Sequence, residues 1–339
     1  MLNQKRRQFL QLILATTGLT FTANLSEGKA EKIIAQSQEK LANLAIGGSP
    51  IMITILLAYL AEQSSIKNLV ETVDFRIWKT HDQLRADAVS GKLQVSATPT
   101  SLAANLYQRK VPIKLLNVLV WGVLNIWSNQ NIRSFEDLKN KTLLIAFRGG
   151  LPAQLFFYLA KENGLDPEKD LKIQYTTDFA QAVQLLLAGR GDAALLSEPA
   201  GTGAELRGQQ QGLDIKLAIN LQEEWGKVTG RAPRFPQAGT LALTSLIDKY
   251  PDIIQTIQNG LVEAVNWSQK NPDDAAALGA KYLGLKAPVI KKSLGYTPLE
   301  MVSAKDAKED LEFWYSRLLE QNPKLFAGSL PDDKFYYGF

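Results

Sequence analysis

Cysteine is absent from the 339 residues. Its absence excludes disulfide bonds, thiolate metal sites, a cysteine nucleophile and a lipid-anchored N-terminal cysteine. Histidine occurs only once, as His81. After the first thirty residues no apolar run reaches the roughly 18 residues that a membrane-spanning helix needs. We therefore expect a soluble mature protein.

A strong basic excess is also missing. The formal net charge is +4, and three of these four charges belong to residues 1–30, where Lys5, Arg6, Arg7 and Lys29 outnumber Glu27. The remaining chain is close to neutral and lacks the surplus of lysine and arginine that a nucleic-acid backbone attracts. We exclude nucleic acid as a partner.

The first 35 residues are predicted to be an export signal peptide. Basic residues precede a moderately apolar run over 9–21, which is too short and too rich in threonine to cross a bilayer. The stretch "RRQFLQ" (6–11) resembles the twin-arginine export signal. An ordinary secretory signal with two adjacent arginines is the alternative. Cleavage after Ala30 or Ala35 would release the mature chain into the periplasm.

Strand and helix patterns alternate almost without a break from residue 41 onward, in two series. The first ends near residue 130, and "SFEDLKN" (134–140) begins the second. Such alternation indicates helices covering mostly parallel sheets, and two series indicate two α/β lobes. Within the pattern, 113–128 is predicted to be one long β segment, 223–239 a loop, and 246–339 mainly helices.

One type of junction occurs four times. A predicted strand ends in a short polar or glycine turn, and a proline stands just inside the next helix, at Pro50, Pro99, Pro152 and Pro199. In open α/β sheets these turns lie at the carboxyl ends of the strands, where ligands bind. Helix N-termini there present free N–H groups and partial positive charge, which favours an anionic group on the ligand.

The third junction, "AFRGGLP" (146–152), places a charge and two glycines between a strand and a helix. Gly149 and Gly150 permit a close approach of the backbone to a ligand. Arg148 is suited to a forked contact with a carboxylate, sulfonate or similar oxyanion. The alternative is that the glycines only form a tight turn and that Arg148 pairs with a surface acid.

Four segments together carry a family resemblance: "ATPTSLAANLYQRK", "SFEDLKNKTLLIAF", "AFRGGLPAQLFFYLAKENGLDPEKDLKI" and "AVQLLLAGRGDAALLSEPA". In this order they resemble the periplasmic solute-binding proteins of ABC importers. The closest subfamily is the one that binds sulfonates, taurine, nitrate and thiamine precursors. The resemblance implies the two-lobed type 2 periplasmic-binding fold, with a mostly parallel sheet flanked by helices in each lobe and a ligand cleft between the lobes.

The same resemblance implies the organisation and the role of the chain. Lobe one would comprise 41–130 plus 240–339, and lobe two 131–239, with the chain crossing near 128–134 and 236–241. A monomer would capture a small anionic or zwitterionic solute by lobe closure and deliver it to a membrane permease, without a cofactor or metal of its own. No Gly-Lys-Ser/Thr phosphate-binding loop occurs in the chain.

The resemblance also implies ligand-binding positions, which are Ser49, Thr98, Thr100, Arg148, Gly149, Gly150 and Glu198. For Glu198 the alternative is capping of its own helix. Trp121 and Asn125 share the parity of Trp127 along the predicted β segment, so we expect them to form the floor of the cleft. A core position is the alternative for these side chains.

Other functions on the same fold stay open at this stage. Thiamine-pyrimidine synthases resemble this subfamily, but they need a cysteine-rich motif and a histidine. A dehydratase of the menaquinone route is a further possibility, which the export signal opposes because its substrate is cytoplasmic. His81 is the residue that would act as acid or base in an enzyme, and the alternative is that it only begins a helix. A ligand-binding sensor is the third alternative. We expect a binding protein and not an enzyme, and the candidate solutes are an alkyl sulfonate, taurine, nitrate and a small aromatic acid.

Overall fold

Two β-sheets with helices packed on them organise residues 40–339, which are the residues that this computed structural model describes. The predicted export signal over 1–35 lies outside the described residues. The strands are β1 (Leu41–Gly48), β2 (Val70–Ile77), β3 (Val95–Pro99), β4 (Ile113–Val120), β5 (Leu124–Ser128), β6 (Thr142–Ala146), β7 (Lys172–Thr176), β8 (Ala193–Ser197), β9 (Lys216–Asn220), β10 (Ala238–Leu243) and β11 (Leu299–Ser303).

Helices connect most of these strands. They are α1 (Met52–Glu62), α2 (Ser64–Lys67), α3 (His81–Val89), α4 (Thr100–Gln108), α5 (Leu151–Glu162), α6 (Phe179–Leu187), α7 (Ala200–Gln210), α8 (Leu221–Thr229), α9 (Thr244–Lys249), α10 (Pro251–Lys270), α11 (Pro272–Leu283), α12 (Ala287–Leu294) and α13 (Lys308–Gln321). Across the described range, none of them combines the length and apolar character that crossing a bilayer requires.

The strand order defines two lobes. The six-stranded sheet has the order β11–β4–β10–β3–β1–β2, and the five-stranded sheet has the order β7–β6–β8–β5–β9. In the first sheet β10 and β11 run against the other four strands, and in the second β5 runs against the other four. The predicted fold class, a two-lobed α/β protein, is confirmed. The sheets are mixed and not mostly parallel, because four of the nine strand pairings in the described residues are parallel and five are antiparallel.

The first crossing between the sheets lies earlier than the sequence predicts. Residues 113–128 do not form one β segment, because β4 ends at Val120 in one sheet and β5 begins at Leu124 in the other. Gly122 lies between them with φ 94°, a conformation that favours glycine. The prediction of a crossing near 128–134 is therefore wrong, and β5 belongs to the five-stranded sheet. The return crossing precedes β10.

Two further elements differ from the prediction. The segment predicted as a loop begins with helix α8, because the Asn220 side chain accepts a hydrogen bond from the Gln222 N–H at 2.9 Å and Gly230, with φ 67°, ends the helix. Strand β11 interrupts the region predicted as mainly helices, because it pairs with the edge of β4. Of the four prolines, only Pro152 lies inside its helix, because Pro50 precedes the N-cap residue Ile51 and Pro99 and Pro199 stand at the N-cap.

Helices from one lobe contact helices of the other. Helix α13, which follows the last strand of the six-stranded sheet, packs on α5, and α12 packs on α7. The Trp314 ring of α13 stacks on Phe235 at 4.8 Å and meets Trp225 of α8 edge-on at 5.2 Å, and Trp225 in turn lies 5.8 Å from the Tyr158 ring of α5. The Trp127 ring of β5 meets the ring of Tyr296, which follows α12, edge-on at 5.6 Å.

Gly201 is expected to be required for the packing of α7 on Trp127. A Cβ at this position would overlap the Trp127 indole, which is fully buried. We expect Gly201→Ala to lower the free energy of unfolding by about 1–3 kcal/mol, as overpacking does. The measurement is equilibrium unfolding in urea. The matched control is Gly203→Ala in the same helix, where a Cβ meets open space and alanine should stabilise by about 0.5–1 kcal/mol. Equal effects of the two variants would contradict this account.

Candidate functional site

A cavity of about 580 Å³ lies between the two sheets. All four predicted strand–helix junctions contribute to its wall, through Ile51 and neighbours after β1, Pro99 after β3, Phe147 and Gly150 after β6, and Glu198 after β8. These junctions meet because the carboxyl ends of the parallel strands in both sheets point toward the same cleft. The volume suits a small organic molecule.

The wall of this cavity is mostly apolar. Aliphatic and aromatic side chains come from both lobes: Ile51, Met52, Ile53, Leu102, Leu106, Val120, Val123, Leu124, Phe147, Leu151, Phe179, Leu318, Leu325 and Phe326. The ionisable side chains are fewer: His81, Asp82, Arg85, Arg109 and Glu198. Of these five, only Glu198 is buried, with 3% of its surface exposed. The cavity therefore has one interior carboxyl group, and its other charged residues are exposed.

Of the nine predicted ligand-binding positions, Gly150 and Glu198 line this cavity. Arg148 and Gly149 are exposed at the same turn, and the Arg148 guanidinium lies 5.2 Å from the centre of the Tyr175 ring. Ser49 is half-buried, and its carbonyl accepts a hydrogen bond from the Thr54 hydroxyl at 2.6 Å. A role for these residues in binding stays a prediction.

The other predicted positions are buried. The Thr100 hydroxyl donates to the Pro236 carbonyl at 2.6 Å, and the Thr98 hydroxyl has no hydrogen-bond partner in residues 40–339. The Asn125 side-chain oxygen accepts from the Gln222 amide at 3.0 Å. Trp121 lies in the first crossing, where its indole N–H donates to the Glu300 carbonyl at 3.0 Å. These contacts give three of the four side chains a structural partner.

Phe147 is a wall residue that the sequence reasoning missed. Its φ is 60°, a left-handed conformation that costs a bulky residue about 1–2 kcal/mol. The residue is 44% exposed, and its ring meets Phe179 edge-on at 5.3 Å. The turn "FRGG" thus presents an aromatic ring to the cavity at a cost in backbone energy. Positive φ outside glycine has no clear sequence signal, so the pattern could not reveal it.

Glu198 is the most unusual polar group of the site. Its Oε1 has no hydrogen-bond partner among the described residues, and its Oε2 accepts only from the Thr202 N–H, at 3.4 Å. Burial raises the pKa of this carboxyl, and the nearby Glu205 acts in the same direction. The hydroxyls of Thr202 and Ser293 oppose the rise in pKa, although neither reaches hydrogen-bond geometry with Oε1.

His81 begins α3 at the wall of the cavity. The residue is exposed overall, yet desolvation by its surroundings lowers the pKa of the imidazole, and the adjacent Asp82 opposes this effect. Within 40–339, no group of three or more His, Cys, Asp or Glu side chains is placed to hold a metal ion.

Known proteins resemble the chain over most of its length. A protein-family model described as "ABC transporter, phosphonate, periplasmic substrate-binding protein" matches residues 52–280. Among curated proteins, one described as "Putative binding protein YtlA", from Bacillus subtilis (strain 168), is 25% identical over 137 residues, which is 40% of this chain and 37% of that protein. The match to YtlA therefore spans little more than a third of that relative.

Solved structures share the fold. An ABC transporter protein from Parabacteroides distasonis has a TM-score of 0.74 at 19% identity, over 88% of this chain and 99% of that one. The periplasmic aliphatic sulphonate binding protein SsuA from Escherichia coli has a TM-score of 0.67 at 19% identity, over 84% and 94%. The periplasmic nitrate-binding protein NrtA from Synechocystis PCC 6803 has a TM-score of 0.55 at 14% identity, over 78% and 74%. At these identities the likeness shows the fold alone.

The buried carboxyl predicts a pH-dependent stability. Folding raises the pKa of the Glu198 carboxyl. The carboxyl therefore takes nothing from the free energy of unfolding at pH values below its pKa in the unfolded chain, which is about 4.3. The loss of stability grows as pH rises toward the pKa of Glu198 in the folded protein, and it is constant at higher pH. We expect Glu198→Gln to remove this loss and to raise the melting temperature of the ligand-free protein at pH 7 by roughly 2–4 °C, or about 1 kcal/mol.

Melting temperatures between pH 4 and pH 8 test this expectation. The matched control is Glu263→Gln, which changes an exposed glutamate on α10 and should leave the shape of the profile unchanged. If the melting temperatures of the wild type and of Glu198→Gln change in parallel with pH, the carboxyl of Glu198 does not destabilise the folded protein and the expectation is contradicted.

Proposed function

Because the chain belongs to the family described as ABC transporter, phosphonate, periplasmic substrate-binding protein, we propose that it captures a small anionic or zwitterionic solute outside the cytoplasm and delivers it to a membrane permease. The observation that carries the proposal is the cavity between the two sheets, to which both lobes contribute walls. A solute bound there contacts both lobes and so favours their closed arrangement.

A binding role fits the chemistry of the wall better than catalysis does. Apart from the arginines, the ionisable residues at the cavity are His81, Asp82 and Glu198. No hydrogen bond joins any two of these side chains in residues 40–339. An enzyme would need a base held against its reacting partner, and an oriented acid–base pair is the usual arrangement. We therefore propose a binding protein that releases its solute unchanged.

The proposal also includes export of the protein and a solute that carries an acidic group. The predicted signal over 1–35 supports a periplasmic location. The exposed Arg85 and Arg109 at the cavity wall supply the positive charge that an acid group of the solute would meet. Sulfonates, nitrate and phosphonates are what the family and its structural neighbours are named for, and they define the first compounds to test.

A thermal-shift screen of the full chain against anions, sulfonates, phosphonates and amino acids tests the function. A solute at 100 times its dissociation constant should stabilise the protein by about 2.7 kcal/mol, a rise of several degrees. The bound compound should be recovered chemically unchanged. Conversion of the compound would favour an enzyme, and the absence of any stabilising compound would contradict a solute-binding role.

Phe147→Ala tests whether the cavity is the binding site. The ring is exposed to the cavity, so its removal should lower affinity for the solute at least tenfold, about 1.4 kcal/mol, with little loss of stability. Val262→Ala is the matched control, because Val262 is also 44% exposed but does not line the cavity. Calorimetric titration of both variants gives the comparison. Unchanged affinity in Phe147→Ala would place the solute elsewhere.

A further inference from the structure

Helix α4 forms one long side of the cavity. The wall includes Pro99, which precedes this helix, and Arg109, which follows it. The cavity therefore extends from the end of β3 along the whole of α4. Ser101, Asn105 and Arg109 are wall residues spaced four apart, so they lie on one face of the helix. From Ser101 to Arg109 the helix axis spans roughly 12 Å. A solute that fills this side of the cavity is elongated.

The polar side chains on this side have free hydrogen-bonding groups. In residues 40–339 no hydrogen bond involves the side chain of Ser101 or Asn105, and both residues are half-buried at the cavity wall. Gln237 is a wall residue at the beginning of the helix, where its carbonyl accepts from the Thr100 N–H at 2.9 Å. Its side-chain oxygen accepts from the Val123 N–H at 2.8 Å, and its amide N–H groups have no partner within the described residues. These groups are available to an oxygen of a solute.

Arg109 supplies a positive charge at the other end of α4. It is exposed, and its guanidinium forms no ion pair or hydrogen bond with another residue of the described range. Helix α4 contributes no acidic side chain to the wall. The other arginine of the wall, Arg85, has the wall residue Asp82 one helical turn before it on α3, and the negative charge of Asp82 partly compensates it. The positive charge is therefore least compensated at Arg109.

Apolar side chains line the space between these two ends. Leu102 and Leu106 lie beside the polar residues along α4, and Leu325 and Phe326 belong to a turn that packs on this helix. The lobe that contains β6 adds further apolar side chains to the wall: Phe147, Leu151 and Phe179. An apolar group of a solute leaves water when it enters this space, and its burial favours binding. The middle of the solute is therefore expected to be apolar.

We propose that the solute is an elongated amphipathic acid whose acid group pairs with Arg109. Its apolar body lies along Leu102 and Leu106, and a hydroxyl or carbonyl oxygen at its other end accepts from the Gln237 amide. This inference rests on the proposed solute-binding function and narrows it. Nitrate and two-carbon sulfonates are too short to contact both ends of α4, and they are excluded as the preferred solute.

Matched probes test the length, the charge and the polar end of the solute. Calorimetric titration of the full chain at pH 7 compares 8-hydroxyoctanoate with 4-hydroxybutanoate, octane-1,8-diol and octanoate. We expect saturable binding of 8-hydroxyoctanoate. The short acid should bind at least tenfold more weakly, because each buried methylene contributes about fourfold in affinity. The diol should also bind at least tenfold more weakly, because it has no acid group for Arg109. Octanoate, which lacks the polar end, should bind at least threefold more weakly.

Variants of the two wall arginines test where the acid group binds. Arg109→Gln should lower the affinity for 8-hydroxyoctanoate at least tenfold, and Arg109→Lys, which keeps the charge, should retain most of it. The matched control is Arg85→Gln, which removes the other exposed arginine of the wall and should change this affinity by less than twofold. Circular dichroism checks that the variants fold.

Several results would overturn this inference. They are equal losses of affinity in Arg109→Gln and Arg85→Gln, binding of 4-hydroxybutanoate as tight as that of 8-hydroxyoctanoate, and binding of octanoate or the diol as tight as that of 8-hydroxyoctanoate. If a short or inorganic anion of the thermal-shift screen stabilises the protein and 8-hydroxyoctanoate does not bind, the inference is wrong and the solute-binding function stands. Failure of every compound in both sets to bind would overturn both.

Discussion

A carboxylate that is removed from water must either bind a proton or accept hydrogen bonds from donor groups. Glu198 is in this situation, because it is buried at the cleft. The residue follows the central strand β8 directly, so the sheet fixes its backbone. Helix α12 of the opposite lobe brings Ser293 to its side. The carboxyl group is therefore enclosed by both lobes, and its energy depends on how they meet.

This constraint gives physical content to solute capture in a protein of this family. Closure brings apolar wall residues of both lobes together, and their burial favours many solutes without distinguishing among them. Discrimination must come from the few polar groups, since an unsatisfied buried group penalises any solute that fails to pair with it.

The sequence predicted the architecture well because each lobe consists of alternating strands and helices with clear apolar periods and proline-marked helix starts. It also predicted correctly that the four junctions meet, since strand ends converge at one edge of a parallel sheet. The prediction was wrong at the first crossing. The apolar stretch continues there without a break while the chain passes from one sheet to the other, and only Gly122 marks the turn. It overlooked Phe147, because a left-handed conformation in a bulky residue depends on tertiary packing. Only the three-dimensional structure shows that Glu198 Oε1 has no hydrogen-bond partner within residues 40–339.

The most direct test of the central claim is a crystal structure of the protein with the tightest-binding solute of the screen. The account predicts that the solute lies in the cavity between the two sheets, in contact with the Phe147 ring and with wall residues of both lobes. A solute bound outside this cavity, or in contact with one lobe only, would contradict it.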